Sequence, residues 1–330
     1  MDTRNPYVFV VGCPRSGTTL LQRMLDAHPH LAVANDTHFI PAAIGRMTPH
    51  PDLPLTPEIV ERVRRFRTRG GMGFHRLGLP EGALESAASE AATYSELVAE
   101  LYARLAHLHG KRFAGEKTPD YVRYLPLLNA LFPWAKVVHL IRDGRDVTLA
   151  LLDWAQEKKT GRLRGPARAR LWQQSPLAAC ALWWNWQVGS GRRDAPALGD
   201  SYREVRYETL VAKPEETLRD LVDFLELPFA PEMLSFHAGR TRTQPGLPTN
   251  KAWLPPTPGL RDWRTQMSAR DVELVEVLTG DLLSNLGYER AFRKPSRESR
   301  TEAKAYRKRW ARKIARREST FRSDVVPRGG

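Results

Sequence analysis

The segment Tyr7-Val-Phe-Val-Val11 followed by Gly12-Cys-Pro-Arg-Ser-Gly-Thr-Thr19 constrains the fold more than any other part of the chain. A continuous β-branched and aromatic run suits a strand buried on both faces, as in a parallel sheet. From Gly17 to Ala27 the apolar residues take helical spacing, with Leu20, Leu21, Met24 and Leu25. A strand that passes through such a turn into a helix aims successive backbone N–H groups, and the positive end of the helix dipole, into one concavity. Gly12 and Gly17 let the backbone approach an oxyanion without a Cβ clash. The spacing is that of the phosphate loop G-x-x-x-x-G-K-S/T, but Thr18 stands where the lysine belongs and a basic residue, Arg15, appears three positions earlier. In nucleoside triphosphatases that lysine reaches the β- and γ-phosphates, so its loss argues against ATP hydrolysis and leaves a loop suited to a single phosphate-sized group.

The same alternation continues. Strands are expected at Leu31–Val33, Arg112–Ala114, Lys136–Ile141 and Tyr202–Arg206, and helices at Tyr94–His107, Tyr121–Leu131, Asp143–Trp154, Pro176–Val188 and Pro214–Leu225. Thr56-Pro57 reads as an N-cap with proline in the first helical turn, opening a helix to about Thr68. Ser268-Ala-Arg-Asp271 matches a capping box for a helix that Gly287 should stop. Gly70–Gly82 is loop-like, and Thr243–Pro258 holds five prolines and one glycine, too many for a regular element. Strands alternating with helices argue for an α/β, P-loop-like three-layer fold with a central, mainly parallel sheet.

No apolar run approaches the roughly 18 residues a membrane span needs. The N-terminus reads as a strand and not as a leader, and two cysteines, Cys13 and Cys180, make no disulfide framework. A reducing, cytoplasmic setting is the expectation. The net charge of +14 is uneven, because residues 291–330 hold 14 Lys and Arg against 4 Asp and Glu. The expected organisation is one domain over residues 1–290 and a basic tail over 291–330, helical or disordered. A solvated end is one reading of that tail. The other is attachment to an anionic membrane surface through Trp310 and Ile314 among arginines. No nucleic-acid recognition module is present.

The loop Pro14-Arg15-Ser16-Gly17-Thr18-Thr19, with Asp26-Ala-His-Pro-His-Leu31 after it, resembles the sulfotransferases that use 3′-phosphoadenosine-5′-phosphosulfate (PAPS), most closely their bacterial and Golgi-type branch. Three more patches follow in the family's order: His139-Leu-Ile-Arg-Asp-Gly-Arg-Asp-Val147, Arg206-Tyr-Glu-Thr-Leu210 and Gly259-Leu-Arg-Asp-Trp-Arg264. The resemblance implies transfer of a sulfuryl group from PAPS to a hydroxyl or amine, with release of adenosine 3′,5′-bisphosphate and no metal. It places the 5′-phosphosulfate on Pro14, Arg15, Ser16, Gly17, Thr18 and Thr19, the 3′-phosphate on Arg142, and the nucleotide by Tyr207, with Arg261 and Trp263 closing over it. Arg142 otherwise reads as one half of an ion pair with Asp143 or Asp146, Tyr207 as a core aromatic, and Arg261 and Trp263 as solvated or packed residues. The serine usual eight positions after the arginine is Ala150 here, and helix geometry points Thr148 elsewhere.

Gly115-Glu-Lys-Thr-Pro119 resembles the family's K-T-P segment, and the resemblance makes Lys117 a catalytic residue that reaches the sulfuryl oxygens. Pro119 stands where the cytosolic branch has a histidine base and cannot accept a proton. Asn35-Asp-Thr-His-Phe39 resembles the branch's E-x-H-F-F, so Asp36 and His38 become the candidate bases. The plainer reading is a helix-capping aspartate and a satisfied histidine. The acceptor stays open among small molecules, lipids, carbohydrates and peptides, with the segments Pro41–Ser95 and Lys158–Leu198 expected to shape its pocket. Two rival classes remain: a P-loop kinase or NTPase, and a non-catalytic nucleotide-binding module, which Ala150 keeps open.

Overall fold

The computed structural model describes residues 4–68, 71–155, 165–168, 170–238 and 261–322. The elements run β1 (Val8–Gly12), α1 (Thr18–Asp26), β2 (Leu31–Asn35), α2 (Phe39–Ile44), α3 (Pro57–Arg65), α4 (Ala83–Glu90), α5 (Tyr94–Leu108), β3 (Phe113–Lys117), α6 (Leu125–Leu131), β4 (Lys136–Ile141), α7 (Gly144–Ala155), α8 (Pro176–Asp194), β5 (Tyr202–Arg206), α9 (Tyr207–Ala212), α10 (Pro214–Phe224), α11 (Trp263–Gln266), α12 (Ala269–Thr279), α13 (Leu282–Asn285) and α14 (Arg297–Arg322). The five strands form one parallel sheet in the order β2-β3-β1-β4-β5.

Both faces of the sheet are covered, which is why β1 reads as an unbroken apolar run. Phe9 and Val11 pack with α2 to α6 on one side, while Val8 and Val10 pack with α1, α9 and α10 on the other. A third core forms around α7, α8, α12 and α14. The α/β three-layer architecture expected from the alternation is present.

Three boundaries and one side chain differ from expectation. The helix anticipated over Tyr121–Leu131 is a 3₁₀ turn, Pro119–Arg123, and then α6. Pro126 has no N–H to donate back to Val122, so the ladder cannot run through. α8 continues past Val188 to Asp194, bearing Gly189 and Gly191 in its last turns. The helix capped by Ser268 ends at Thr279, where Gly280 takes φ 60°, and Gly287 closes the short α13 instead. Trp310, considered above as a membrane anchor, is 7% exposed and stacks edge-on against Trp183 and Trp186, each 6.4 Å away between centroids. Its indole is committed to internal packing, together with fully buried Ala303 on the same face of α14. The expected proline-rich stretch over Thr243–Pro258 lies outside the described residues.

One buried group makes stability depend on pH. His139, inside β4, places Nδ1 2.6 Å from the Tyr202 hydroxyl, and that hydroxyl donates onward to Glu204. Burial above all, reinforced by Arg192, pushes the imidazole pKa down to about 3. An unfolded chain protonates the same ring near pH ~6.5. The unfolded state therefore binds a proton that the fold refuses. This contribution to stability is complete above that pH and is lost as pH falls from it toward the folded value, at about 1.4 kcal/mol per pH unit. Urea midpoints taken across this range should decline less steeply for His139→Asn, by one proton's worth. Parallel curves for variant and parent would exclude His139 as the titrating group.

Candidate active site

The phosphate loop is built as the sequence reading requires. Gly12 and Gly17 have φ of 153° and 97°, and neither has room for a side chain. A Cβ on Gly12 would lie 2.5 Å from the Leu140 carbonyl oxygen, and one on Gly17 2.4 Å from the ring of Tyr207. Arg15 turns the loop with φ 77°. The Ser16 hydroxyl is buried, with no hydrogen-bond partner among the described residues. Such a group is costly unless something accepts its proton.

β2 and β3 bring the second half of the site to this loop. Asn35 and Lys117 are paired in register at the C-terminal ends of these strands, the edge where open α/β sheets bind ligands. Lys117, 1% exposed, places Nζ 3.0 Å from Asp36 Oδ2 and 3.3 Å from Thr19 Oγ1. One buried ammonium thus links the candidate base to the phosphate loop. His38 sits beyond it with its ring edge toward Tyr121, 6.3 Å between centroids. The described chain has four non-glycine residues with positive φ, and three of them are Arg15, Asp36 and His38. Each such conformation costs of order 1–3 kcal/mol and tends to cluster where function needs it. The plainer reading of Asp36 as a helix cap does not hold. Neither side chain caps α2, whose N-cap position is His38 with no side-chain bond to the helix.

The other side of the loop carries Arg142 and Tyr207. The guanidinium lies 4.4 Å from the Tyr207 ring centroid, and that ring rests on Gly17. Arg142 pairs with Asp146 at 3.3 Å, so the ion-pair reading of the sequence holds too. Its Nε is nevertheless buried without a partner among the described residues. Thr148 cannot stand in for the missing serine, because its hydroxyl donates to the Gly144 carbonyl at 2.7 Å. Ala150 is buried on α7. Trp263 packs its ring 3.7 Å from the Arg145 guanidinium and donates its backbone N–H to Asp146. Arg261 pairs with Asp153. Both residues thus have partners on α7, with Asp146 joining Trp263 to Arg142.

Two further groups, Glu116 and Asp120, carry no signal in the sequence as site residues. Glu116 is fully buried and accepts from the Thr37 N–H and the Tyr102 hydroxyl. Asp120, next to Pro119, accepts from Gln187 at 2.6 Å and Arg123 at 3.2 Å. Burial opposes its ionisation, but Arg123 first and His38 next hold its carboxyl below the usual range. Asp146 is pushed above that range by burial, against the pull of Arg142.

The sequence model of the sulfotransferase family matches residues 6–231. Protein-tyrosine sulfotransferase 1 of Danio rerio is 27% identical over 227 residues, covering 68% of this chain and 54% of that protein. The chain therefore spans only about half the length of this relative. Nodulation protein NoeE of Sinorhizobium fredii is 28% identical over 307 residues, covering 86% of this chain and 66% of that protein. Among solved structures, the sulfotransferase domain from the Synechococcus PCC 7002 olefin synthase superposes with a TM-score of 0.56 at 26% identity, covering 86% of this chain and 95% of the domain. The family match runs from just before β1 past the end of α10 and so takes in the Gly12–Thr19 loop, the β2–β3 edge and Arg142: this chain belongs to the sulfotransferase family.

Proposed function

We propose that this protein transfers the sulfuryl group of PAPS to an acceptor hydroxyl or amine and releases adenosine 3′,5′-bisphosphate. The observation that carries the proposal is the Asp36–Lys117–Thr19 link, which joins a carboxylate, a buried cation and the phosphate loop within hydrogen-bond reach. The residues present suit the donor. Two buried polar atoms, Ser16 Oγ and Arg142 Nε, have no hydrogen-bond partner among the described residues, and the Tyr207 ring lies against both Gly17 and the Arg142 guanidinium. Pro14 to Thr19 and Arg15 would hold the phosphosulfate end, Arg142 the 3′-phosphate, and Tyr207 the nucleotide, with Trp263 and Arg261 anchored alongside through α7. PAPS supplies the group to be transferred. Lys117, Arg15 and the loop amides stabilise negative charge on its oxygens in a site from which water is largely excluded.

Asp36 takes the acceptor's proton in this scheme, and His38 stands on the acceptor side with Asp120 beyond it. The names of the relatives make a tyrosine phenol in a polypeptide the first acceptor to try, with carbohydrate and lipid hydroxyls beside it. A thermal-shift comparison tests the donor: adenosine 3′,5′-bisphosphate should raise the melting temperature and ATP with Mg²⁺ should not. Stabilisation by ATP with Mg²⁺ alone would return the protein to the NTPase class. Labelled PAPS with an acceptor panel tests the chemistry, and Asp36→Asn should then cut turnover by about 10²-fold or more. Full activity in that variant would move the role of base to His38.

A further inference from the structure

The turn that carries Asp36 is bonded to a buried carboxylate on the neighbouring strand β3. Four backbone groups between Asp36 and Ile40 are tied to the interior. Asp36 N–H donates to the Lys117 carbonyl at 2.7 Å, and Thr37 N–H to Glu116 Oε1 at 3.0 Å. Ile40 N–H donates to the Tyr121 hydroxyl at 3.2 Å, and the Ile40 carbonyl accepts from the Tyr94 hydroxyl at 2.9 Å. Between these ties Asp36 and His38 adopt φ of 56° and 59°. The middle one, at Thr37, lies between the two left-handed residues, and it is the only one of the four that ends on a charge.

Glu116 itself is fully buried. Oε1 also accepts from the Thr118 hydroxyl, and Oε2 accepts from the Tyr102 hydroxyl at 2.6 Å. Both oxygens are thereby used by neutral donors, and the neighbouring ammonium, Lys117, is turned to Asp36. Burial foremost, and then the nearby carboxylate, keep the Tyr102 phenol well above its usual range, so it remains a donor. Burying an ionisable group on neutral donors alone is an expensive way to pack a core. It is an effective way to fix a backbone N–H, because a hydrogen bond to a charged acceptor is roughly twice as strong as one to a neutral acceptor.

From this we infer that Glu116 is a positioning residue for sulfuryl transfer: by holding the Thr37 amide it keeps Asp36 turned toward Lys117 and the phosphate loop. The inference rests on the reading of Asp36 as the base. Glu116→Gln keeps the size of the side chain but removes its charge and one acceptor oxygen, so the Thr37 N–H either loses its acceptor to an N–H₂ or keeps only a neutral one while the Tyr102 hydroxyl turns to accept. If the base turn then shifts by about 1 Å, kcat should fall on the order of 10²-fold. Binding of adenosine 3′,5′-bisphosphate should change by less than about three-fold, since Glu116 lies on the far side of β3 from the loop.

A double-mutant cycle separates positioning from general damage. In the Asp36→Asn background the base is already gone, so adding Glu116→Gln should slow the residual reaction by less than about three-fold. An equal loss in both backgrounds, or a parent-like kcat for Glu116→Gln, would overturn the inference. If Glu116→Gln does not fold, Tyr102→Phe combined with Thr118→Val removes two of the three donors to the same carboxylate and is read through the same cycle, with the same outcomes deciding. Failure of Asp36→Asn to lower kcat would instead strike the proposed base, and is seen separately, before Glu116 is touched.

Discussion

Lys117→Met should lower kcat for sulfuryl transfer by about 10²–10³-fold while adenosine 3′,5′-bisphosphate still binds within about three-fold of the parent. Methionine matches the length and flexibility of the lysine stem, so the packing at the end of β3 is kept and only the charge is removed. That charge sits at 1% exposure, 3.0 Å from Asp36 and 3.3 Å from Thr19. In such a place a fixed cation acts through a lower effective dielectric than water and needs no reorganisation when charge develops on the oxygens of the group in flight. In the proposed scheme nucleotide binding draws mainly on the loop amides and Arg142, which the substitution leaves alone. Single-turnover measurement with labelled PAPS separates the chemical step from product release. A single-turnover rate within about three-fold of the parent would remove Lys117 from the chemistry and leave its ion pair with Asp36 a structural one.

The parts of this site that lie close together in sequence could be read from it, and the parts assembled by the sheet could not. Gly12 and Gly17 announce a tight loop because no other residue fits where Leu140 and Tyr207 press on it. β4 keeps its expected bounds because all but its first residue is buried, which leaves an apolar run broken only by His139. The meeting of Asp36 with Lys117 depends on β3 lying between β2 and β1, and strand order leaves no local trace in the residues. Family resemblance supplied the two residues; register supplied their contact. Glu116 leaves no trace in the sequence for the same reason. Its partners Thr37 and Tyr102 come from separate elements, and a glutamate beside a lysine in sequence reads as a solvated pair. Neither reading of the tail places Trp310 in a core, because a basic helix with few apolar residues has the pattern of a solvated or surface-binding segment. The tryptophans that receive it, Trp183 and Trp186, are far away on α8.

Glu276→Ala should cost about 3–5 kcal/mol of folding stability, enough to consume a large share of the 5–15 kcal/mol typical of a domain. Glu276 is 2% exposed on α12 and pairs at 2.6 Å with Arg145, itself 1% exposed on α7. Its carboxylate also accepts from the Ala291 and Phe292 amides, which ties the chain after α13 back onto the fold. Arg145 is further bound to both oxygens of Asp143 and to the Glu289 carbonyl. Removing Glu276 leaves the guanidinium buried with one carboxylate instead of two and strands two backbone donors, so the penalty is that of uncompensated buried groups and not of one lost contact. Glu276→Gln retains an oxygen for one of the two amides, which bond to different carboxylate oxygens, and should lose less. Because Asp143 immediately follows Arg142, and Trp263 rests on Arg145, the loosened network should also weaken adenosine 3′,5′-bisphosphate binding, although no part of Glu276 belongs to the phosphate loop. Urea denaturation and nucleotide titration on the same samples measure both effects. A loss below about 1 kcal/mol, the scale of an exposed pair, would mean that water reaches the Arg145 guanidinium, and that α7 and α12 are joined by their apolar faces alone.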